Sequence, residues 1–112
     1  LPATKGFEIG SGFAAARMRG SEHNDAFILD DRGNVSTATN FAGGTLGGIS
    51  TGLRLIARVA FKPTSSIKKV QKTVSLEKEE KEFQLPEGSP HDPCVTIRAV
   101  PIVEAMTALV LA

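Results

Sequence analysis

A glycine-rich stretch, residues 43–52, constrains the fold of this chain more than any other feature. Half of its ten residues are glycines. Because glycine has no side chain with which to fill a core, a stretch of this composition serves the backbone. Either it lets the backbone approach a flat or phosphorylated ligand closely, or it makes consecutive tight turns. The residues alone leave both interpretations of this glycine segment open.

The rest of the composition excludes several classes of protein. The 112 residues carry a formal net charge of +1, which argues against a nucleic-acid binder held by backbone electrostatics. With 41% hydrophobic residues, the chain can build a modest core. One cysteine and two histidines leave no intramolecular disulfide and little for a metal centre, so no metal site is predicted. No stretch is long and apolar enough to span a membrane, and we expect a soluble, intracellular protein.

Strand and turn signals predict an α+β fold, with an antiparallel sheet and a packed helix. A turn at residues 31–34 should join two short strands, because Gly33 can take a positive φ there. Pro63 should end the clearest strand, since proline cannot donate to a ladder. Four strands are expected, over residues 7–9, 26–29, 35–39 and 53–62.

The second half of the chain is expected to form a charged hairpin and a helix. The hairpin spans residues 74–85, with the charges at its tip. Pro101 suits the first turn of a helix whose apolar stripe includes Val103, Met106 and Val110. Residues 14–18 form at most a marginal helical turn. We find no domain boundary, so residues 1–112 are predicted to be one segment.

One motif points to a nicotinamide-binding oxidoreductase. Residues 10–15 match the dinucleotide fingerprint G-x-G-x-x-G/A, and Asp30 follows about 20 residues on. However, the preceding strand contains Glu8, and Gly20 would cut the following helix short of a crossover. Loop glycines are therefore the favoured interpretation.

Three further segments carry polar chemistry. Residues 62–66 offer a lysine, three hydroxyls and backbone N–H groups, which suit a phosphate or make an ordinary capped turn. His91 and Asp92 could be an acid–base pair, although a turn cap by Asp92 is favoured. Cys94 is expected to be a small buried residue, and residues 21–25 to be a solvated loop.

Taken in order, five motifs identify a resemblance to chorismate synthase that covers essentially the whole chain. They lie at residues 19–25 (RGSEHND), 39–50 (TNFAGGTLGGIS), 59–64 (VAFKPT), 91–95 (HDPCV) and 98–106 (RAVPIVEAM).

The resemblance implies a lyase of the shikimate pathway and of aromatic amino-acid biosynthesis. This family converts 5-enolpyruvylshikimate 3-phosphate to chorismate and phosphate by a 1,4-anti elimination without net redox change. Reduced FMN is required, and the family is also associated with NADP. The implied fold is a β-α-β sandwich assembled as a homotetramer, and the implied location is the cytoplasm, or the plastid in a plant.

The resemblance also assigns site residues. Gly47 matches a glycine that contacts the flavin, Ala3 falls near another flavin-contacting segment, and Asp92 matches an aspartate that handles protons beside the flavin ring. The flavin-binding loop is matched by Lys62, Pro63, Thr64, Ser65 and Ser66. Lys62 and Ser66 are expected to face the side where Gly47 approaches.

Two departures from the family bear on activity. Pro90 stands where the family usually has an arginine, which removes a fixed positive charge beside anionic ligands. Neither His23 nor His91 matches the family's two acid–base histidines, and most substrate-binding arginines also find no match. We therefore expect residues 1–112 to be the C-terminal part of a longer chain, inactive without its N-terminal part. A non-catalytic flavin-binding or structural module is the alternative.

Overall fold

The computed structural model describes all 112 residues and divides into two compact units. One unit comprises Pro2–Ala60, and the other comprises Leu1 together with Phe61–Ala112. Each unit is described by itself.

The first unit contains short strands and a six-residue 3₁₀ helix. Strand β1 pairs with β6, β2 with β3, and β4 with β5, and the last two pairs are antiparallel hairpins. The elements are β1 (Thr4–Ile9), a 3₁₀ helix (Gly12–Arg17), β2 (Phe27–Leu29), β3 (Val35–Thr37), β4 (Thr45–Leu46), β5 (Ile49–Ser50) and β6 (Ala57–Phe61), whose last residue opens the second unit.

The β2–β3 hairpin forms for the reason that the sequence indicates. Asp30 Oδ1 accepts hydrogen bonds from the backbone N–H groups of Arg32 (2.9 Å) and Asn34 (2.8 Å). Gly33 adopts the expected positive φ of 81°. These local bonds close the turn and set the register, in which Leu29 lies opposite Val35.

Strand β6 is shorter than predicted. It begins at Ala57 and not at residue 53, because the preceding backbone bonds to loops. The Arg54 carbonyl accepts from Asn40 Nδ2 (2.9 Å), while the Ile56 N–H donates to the Gly43 carbonyl (3.1 Å). These groups are therefore unavailable to a ladder. The strand ends two residues before Pro63, in keeping with the expected break.

The second unit contains a hairpin and a single α-helix, and the hairpin spans residues 71–83 and not the predicted 74–85. Strands β7 (Gln71–Val74) and β8 (Glu80–Phe83) pair antiparallel, and Lys78 takes a positive φ of 65° in the turn between them. Helix α1 spans Thr96–Leu111. The expectation that Pro101 lies in the first turn is wrong, because the helix begins five residues earlier. Since proline lacks an N–H, one carbonyl of the preceding turn loses its intrahelical partner.

The α+β class is confirmed, but the strands form four separate two-stranded sheets in place of one larger sheet. Helix α1 is apolar on every side and not along one stripe, which is typical of a helix buried inside a larger protein. Of its residues only Ala99 is buried, and Ala99 is also the only buried hydrophobic residue of the chain. No helix has the length and apolar content needed to cross a membrane.

Candidate functional site

Gly43, the first residue of the glycine segment, is required for close backbone packing against Gly10. A Cβ on Gly43 would overlap the backbone of Gly10, and a Cβ on Gly10 would overlap the carbonyl of Phe41. Both glycines also have positive φ values, 70° and 58°. This part of the segment is therefore a set of tight turns, one of its two expected roles.

Gly47 lies in a different environment, at the turn of the β4–β5 hairpin. Its φ of 57° and the φ of 81° at Gly48 suit a two-residue hairpin turn. A Cβ on Gly47 would meet no atom within 4 Å, so nothing inside the chain fills the space beside it. The backbone here is open to close approach by a ligand.

Asp25, in the segment expected to be a solvated loop, holds the chain just before the glycine segment. Asp25 is half-buried and accepts hydrogen bonds from Thr39 Oγ1 (2.6 Å) and the N–H groups of Phe41 (2.8 Å) and Ala42 (2.9 Å). Partial burial raises the pKa of Asp25, but the accepted hydrogen bonds outweigh burial and leave the pKa below its ordinary value. Asp25 is thus a fixed structural anion.

His23, in the same loop, is also engaged. Its Nε2 lies 2.7 Å from Ser11 Oγ, and its ring stacks in a tilted arrangement on Phe41 with 5.6 Å between ring centroids. The expectation of a solvated loop at residues 21–25 is therefore confirmed for Ser21, Glu22 and Asn24, which are exposed, and is wrong for His23 and Asp25. No local sequence pattern indicates these contacts, because the partners lie 12 or more residues away along the chain.

The structure brings the loop of residues 62–66 to the Asp92 segment. Thr64 Oγ1 donates a hydrogen bond to the Asp92 carbonyl (3.3 Å), and Gln71 Nε2 donates to the Ser65 carbonyl (3.3 Å). Lys62 is exposed, whereas Thr64 and Ser66 are half-buried. The loop therefore presents a free cation beside hydroxyl groups, a donor set that suits an anionic ligand.

The Asp92 carboxylate pairs with an arginine that the sequence analysis assigned no role. Asp92 Oδ2 lies 3.2 Å from Arg98 Nη2, in the first turn of α1. The favoured expectation of a turn cap is wrong, because this carboxylate accepts no backbone hydrogen bond, and no hydrogen bond joins His91 to Asp92. Arg98 could have been suspected from its place one helical turn beyond the His-Asp-Pro-Cys run.

Ala3 adopts an uncommon backbone conformation. Its φ of 63° lies in the left-handed region, which only one other non-glycine residue, Lys78, occupies in this chain. A non-glycine residue held there costs of order 1 kcal/mol, and such residues cluster at ligand sites. The strained backbone at Ala3 therefore agrees with its expected place near a flavin-contacting segment.

The nicotinamide alternative lacks the geometry that it requires. The segment after Gly12 is a six-residue 3₁₀ helix that gives way to extended backbone at Met18, and not a crossover helix. Asp30, the expected ribose ligand, is committed to the turn of its own hairpin. The loop interpretation of Gly10 and Gly12 is therefore the one that the structure supports.

Cys94 differs from its expected state. The residue is exposed, and it precedes α1. The hydroxyl of Thr96 and the N–H groups of Thr96 and Ile97 stabilise the thiolate, so the pKa of Cys94 is lowered despite the opposing effect of Asp92. The expectation of a buried residue is wrong.

We expect Cys94 to react with iodoacetamide faster at neutral pH than a cysteine in an unstructured peptide. A lowered pKa increases the thiolate fraction at that pH. Replacing Thr96 by valine should slow alkylation several-fold. Thr107→Val, which removes a hydroxyl bonded to the Val103 carbonyl (2.8 Å) of the same helix, should leave the rate unchanged. Equal rates for Cys94 and for the peptide would contradict this assignment.

Comparison with known proteins gives a consistent result over the whole chain. The family model for chorismate synthase matches residues 1–112. The chorismate synthase of Protochlamydia amoebophila is 62% identical over 112 residues, which are 99% of this chain and 30% of that protein. The chorismate synthase of Crocosphaera subtropica is 62% identical over 111 residues, with the same coverage of both chains.

Similarity to a solved structure points the same way. A crystal structure of chorismate synthase superimposes with a TM-score of 0.52 and 43% sequence identity, over 56% of this chain and 19% of that chain. The present chain thus spans about 30% of the length of the curated relatives that it matches. A family match that extends from the first residue to the last leaves one assignment: this chain belongs to the chorismate synthase family.

Proposed function

We propose that these residues are part of a chorismate synthase, the lyase that converts 5-enolpyruvylshikimate 3-phosphate to chorismate and phosphate. The observation that carries this proposal is the match of the family model to every residue of the chain. The family's other attributes, namely reduced FMN, NADP, a homotetramer and a cytoplasmic location, are part of the same proposal.

The residues present fit a flavin mononucleotide. The open space beside Gly47 would admit a flat ring against the backbone, since no side chain of this segment fills it. Lys62 would pair with the anionic cofactor, and the hydroxyls of Thr64, Ser65 and Ser66 would donate to it. Pro63, which fixes φ, would restrict the loop between them. Ala3 is the remaining proposed contact. Reduced FMN, when bound, would supply electron density to the departure of the phosphate.

Asp92 is proposed to handle the proton of the elimination. Arg98 occupies carboxylate oxygen Oδ2, and Thr64 holds the backbone of the same residue through the Asp92 carbonyl. This arrangement orients the side chain and leaves Oδ1 to accept or return a proton. The side chain of Asp92 is 31% exposed, so a ligand seated on the loop could cover it.

A non-catalytic flavin-binding or structural module is the second candidate, and one observation favours it. Pro90 replaces the arginine usual in the family, so a fixed cation is missing where both proposed ligands are anionic. A non-catalytic module that binds flavin differs from the lyase in turnover and not in flavin binding. The assay that separates them therefore measures chorismate and not FMN.

Binding is tested in a chimera in which residues 1–112 replace the matching segment of the Protochlamydia amoebophila enzyme. We expect Lys62→Ala to weaken the binding of oxidised FMN by about tenfold or more, because a charge-assisted hydrogen bond is lost. Titration of flavin fluorescence measures the dissociation constant.

Lys72→Ala is the matched control, since Lys72 is also exposed but lies on β7, outside the loop. It should leave the FMN affinity within about twofold, as is usual for an exposed charge at a distance. If the two variants weaken binding equally, the effect is one of overall charge and the assignment of Lys62 to the flavin is wrong.

A further inference from the structure

Asp25 holds the chain immediately before the glycine segment. Its Oδ1 accepts from Thr39 Oγ1 (2.6 Å) and from the Phe41 N–H (2.8 Å), while its Oδ2 accepts from the Ala42 N–H (2.9 Å). Both carboxylate oxygens thus accept hydrogen bonds from the stretch Thr39–Ala42, which ends immediately before Gly43. Hydrogen bonds to a charged acceptor are stronger than those between neutral groups, so this stretch is firmly anchored.

A second set of bonds carries the anchor into the glycine segment. Asn40, which lies inside the anchored stretch, accepts from the Gly44 N–H (2.8 Å) and donates to the Arg54 carbonyl (2.9 Å). The Thr51 N–H in turn donates to the Gly44 carbonyl (2.9 Å). The N-terminal end of the β4–β5 hairpin is therefore bonded to Asn40, inside the anchored stretch, and its C-terminal end is bonded to Gly44. Gly47 is at the hairpin's turn.

Such an anchor matters more for this hairpin than for most. Each of its strands has only two residues, and glycines surround them. A short, glycine-rich hairpin has high conformational entropy and is not stable by itself. A ligand that binds an unanchored hairpin must supply the free energy that orders it, and its affinity falls accordingly.

We propose that Asp25 is a positioning residue that holds the glycine segment in the conformation to which flavin binds. This inference rests on the proposed function. Asp25 would not contact the ligand but would act through Phe41, Ala42 and the β4–β5 hairpin. The fixed anion, the bonds of Asn40 and the open space beside Gly47 together carry it.

The test is Asp25→Asn in the chimera described above, with oxidised FMN as the probe. Asparagine keeps the size of the side chain but turns one acceptor into a donor facing a backbone N–H. We expect FMN affinity to fall by about tenfold, which corresponds to one half-buried N–H group left without its acceptor. The absorption band and fluorescence of the bound flavin should also change, a signature that a general loss of stability would not produce.

Asp30→Asn is the matched control. Asp30 also accepts two backbone N–H groups in the same unit, but it is exposed and closes the β2–β3 turn. It should lower the melting temperature without changing FMN affinity by more than about twofold. If Asp25→Asn fails to fold, Thr39→Val removes a single hydrogen bond from Asp25 and should weaken FMN binding by about threefold.

The outcomes separate this inference from the function on which it rests. An unmodified chimera that does not bind FMN overturns the proposed function and the inference with it. A chimera that binds FMN, with an affinity and a flavin spectrum unaffected by Asp25→Asn or Thr39→Val, overturns the inference alone. Equal losses of affinity for Asp25→Asn and Asp30→Asn also overturn it.

Discussion

The 112-residue chain is expected to form no measurable chorismate by itself, even with reduced FMN supplied. Neither of its histidines, His23 and His91, matches the acid–base histidines that the family resemblance implies. His23 is moreover hydrogen-bonded to Ser11, at 2.7 Å. General acid–base catalysis contributes about 10²–10⁴-fold, and the loss of substrate positioning multiplies that deficit. The rate should lie at least about 10⁴-fold below that of a full-length family member.

The measurement is chorismate released from 5-enolpyruvylshikimate 3-phosphate under anaerobic conditions with reduced FMN. The Protochlamydia amoebophila enzyme serves as the positive control in the same buffer. Turnover by the isolated chain at a rate near that of this control would contradict the expectation, because the 112 residues would then contain a complete active site.

Self-association of the isolated chain is the second large expected effect. Both units expose large apolar side chains, among them Phe13 (76% exposed) and Phe27 (73%) in the first unit and Val110 (82%) in the second. Apolar surface on this scale marks an interaction or aggregation surface.

Helix α1 offers the sharpest test of this expectation. Leu109 and Val110 are 74% and 82% exposed, so lysines at both positions should not disturb packing within the chain. If α1 contributes to association, the double variant should weaken self-association by about tenfold or more, since burial of each side chain contributes about 1.5–3 kcal/mol. Sedimentation velocity at several concentrations measures this.

Thr107→Lys is the control, because it adds a charge to the same helix without removing a large apolar group. It should weaken association less than the double variant does. A stable monomer whose sedimentation coefficient does not depend on concentration would show that the expectation is wrong.

Features fixed by neighbouring residues could be predicted from the sequence. The β2–β3 turn depends on Asp30, Gly33 and Asn34, which are within five residues of one another. The β7–β8 hairpin is likewise a local structure, although it lies earlier in the chain than predicted and its strands also carry charges, such as Lys72 opposite Glu82. The suitability of residues 62–66 for binding a phosphate follows from side-chain chemistry alone. The lysine of this loop is exposed in the structure, and three hydroxyl residues follow it.

Features fixed by distant residues could not be predicted. The start of β6 depends on the bond from Asn40 to the Arg54 carbonyl, across 14 residues. The role of Asp25 depends on Thr39, Phe41 and Ala42, up to 17 residues away. No periodicity reports such pairings, since they arise from how loops pack.

The start of α1 shows a different limit. Pro101 is typical of a first turn, but the helix tolerates it in the second, where the missing N–H affects a single carbonyl. The predicted apolar stripe also covers only part of the apolar surface of α1, because this helix is apolar on every side. Such a helix gains its stability from burial, and its own unit buries only Ala99.

The most direct test of the account is chorismate production by the chimera that carries residues 1–112 in place of the matching segment of the Protochlamydia amoebophila enzyme. With reduced FMN and 5-enolpyruvylshikimate 3-phosphate, we expect turnover within about tenfold of that enzyme, and Asp92→Asn in the chimera should reduce it by about 10²-fold or more. A chimera that folds and binds FMN but releases no chorismate would contradict the assignment of these residues to a working lyase.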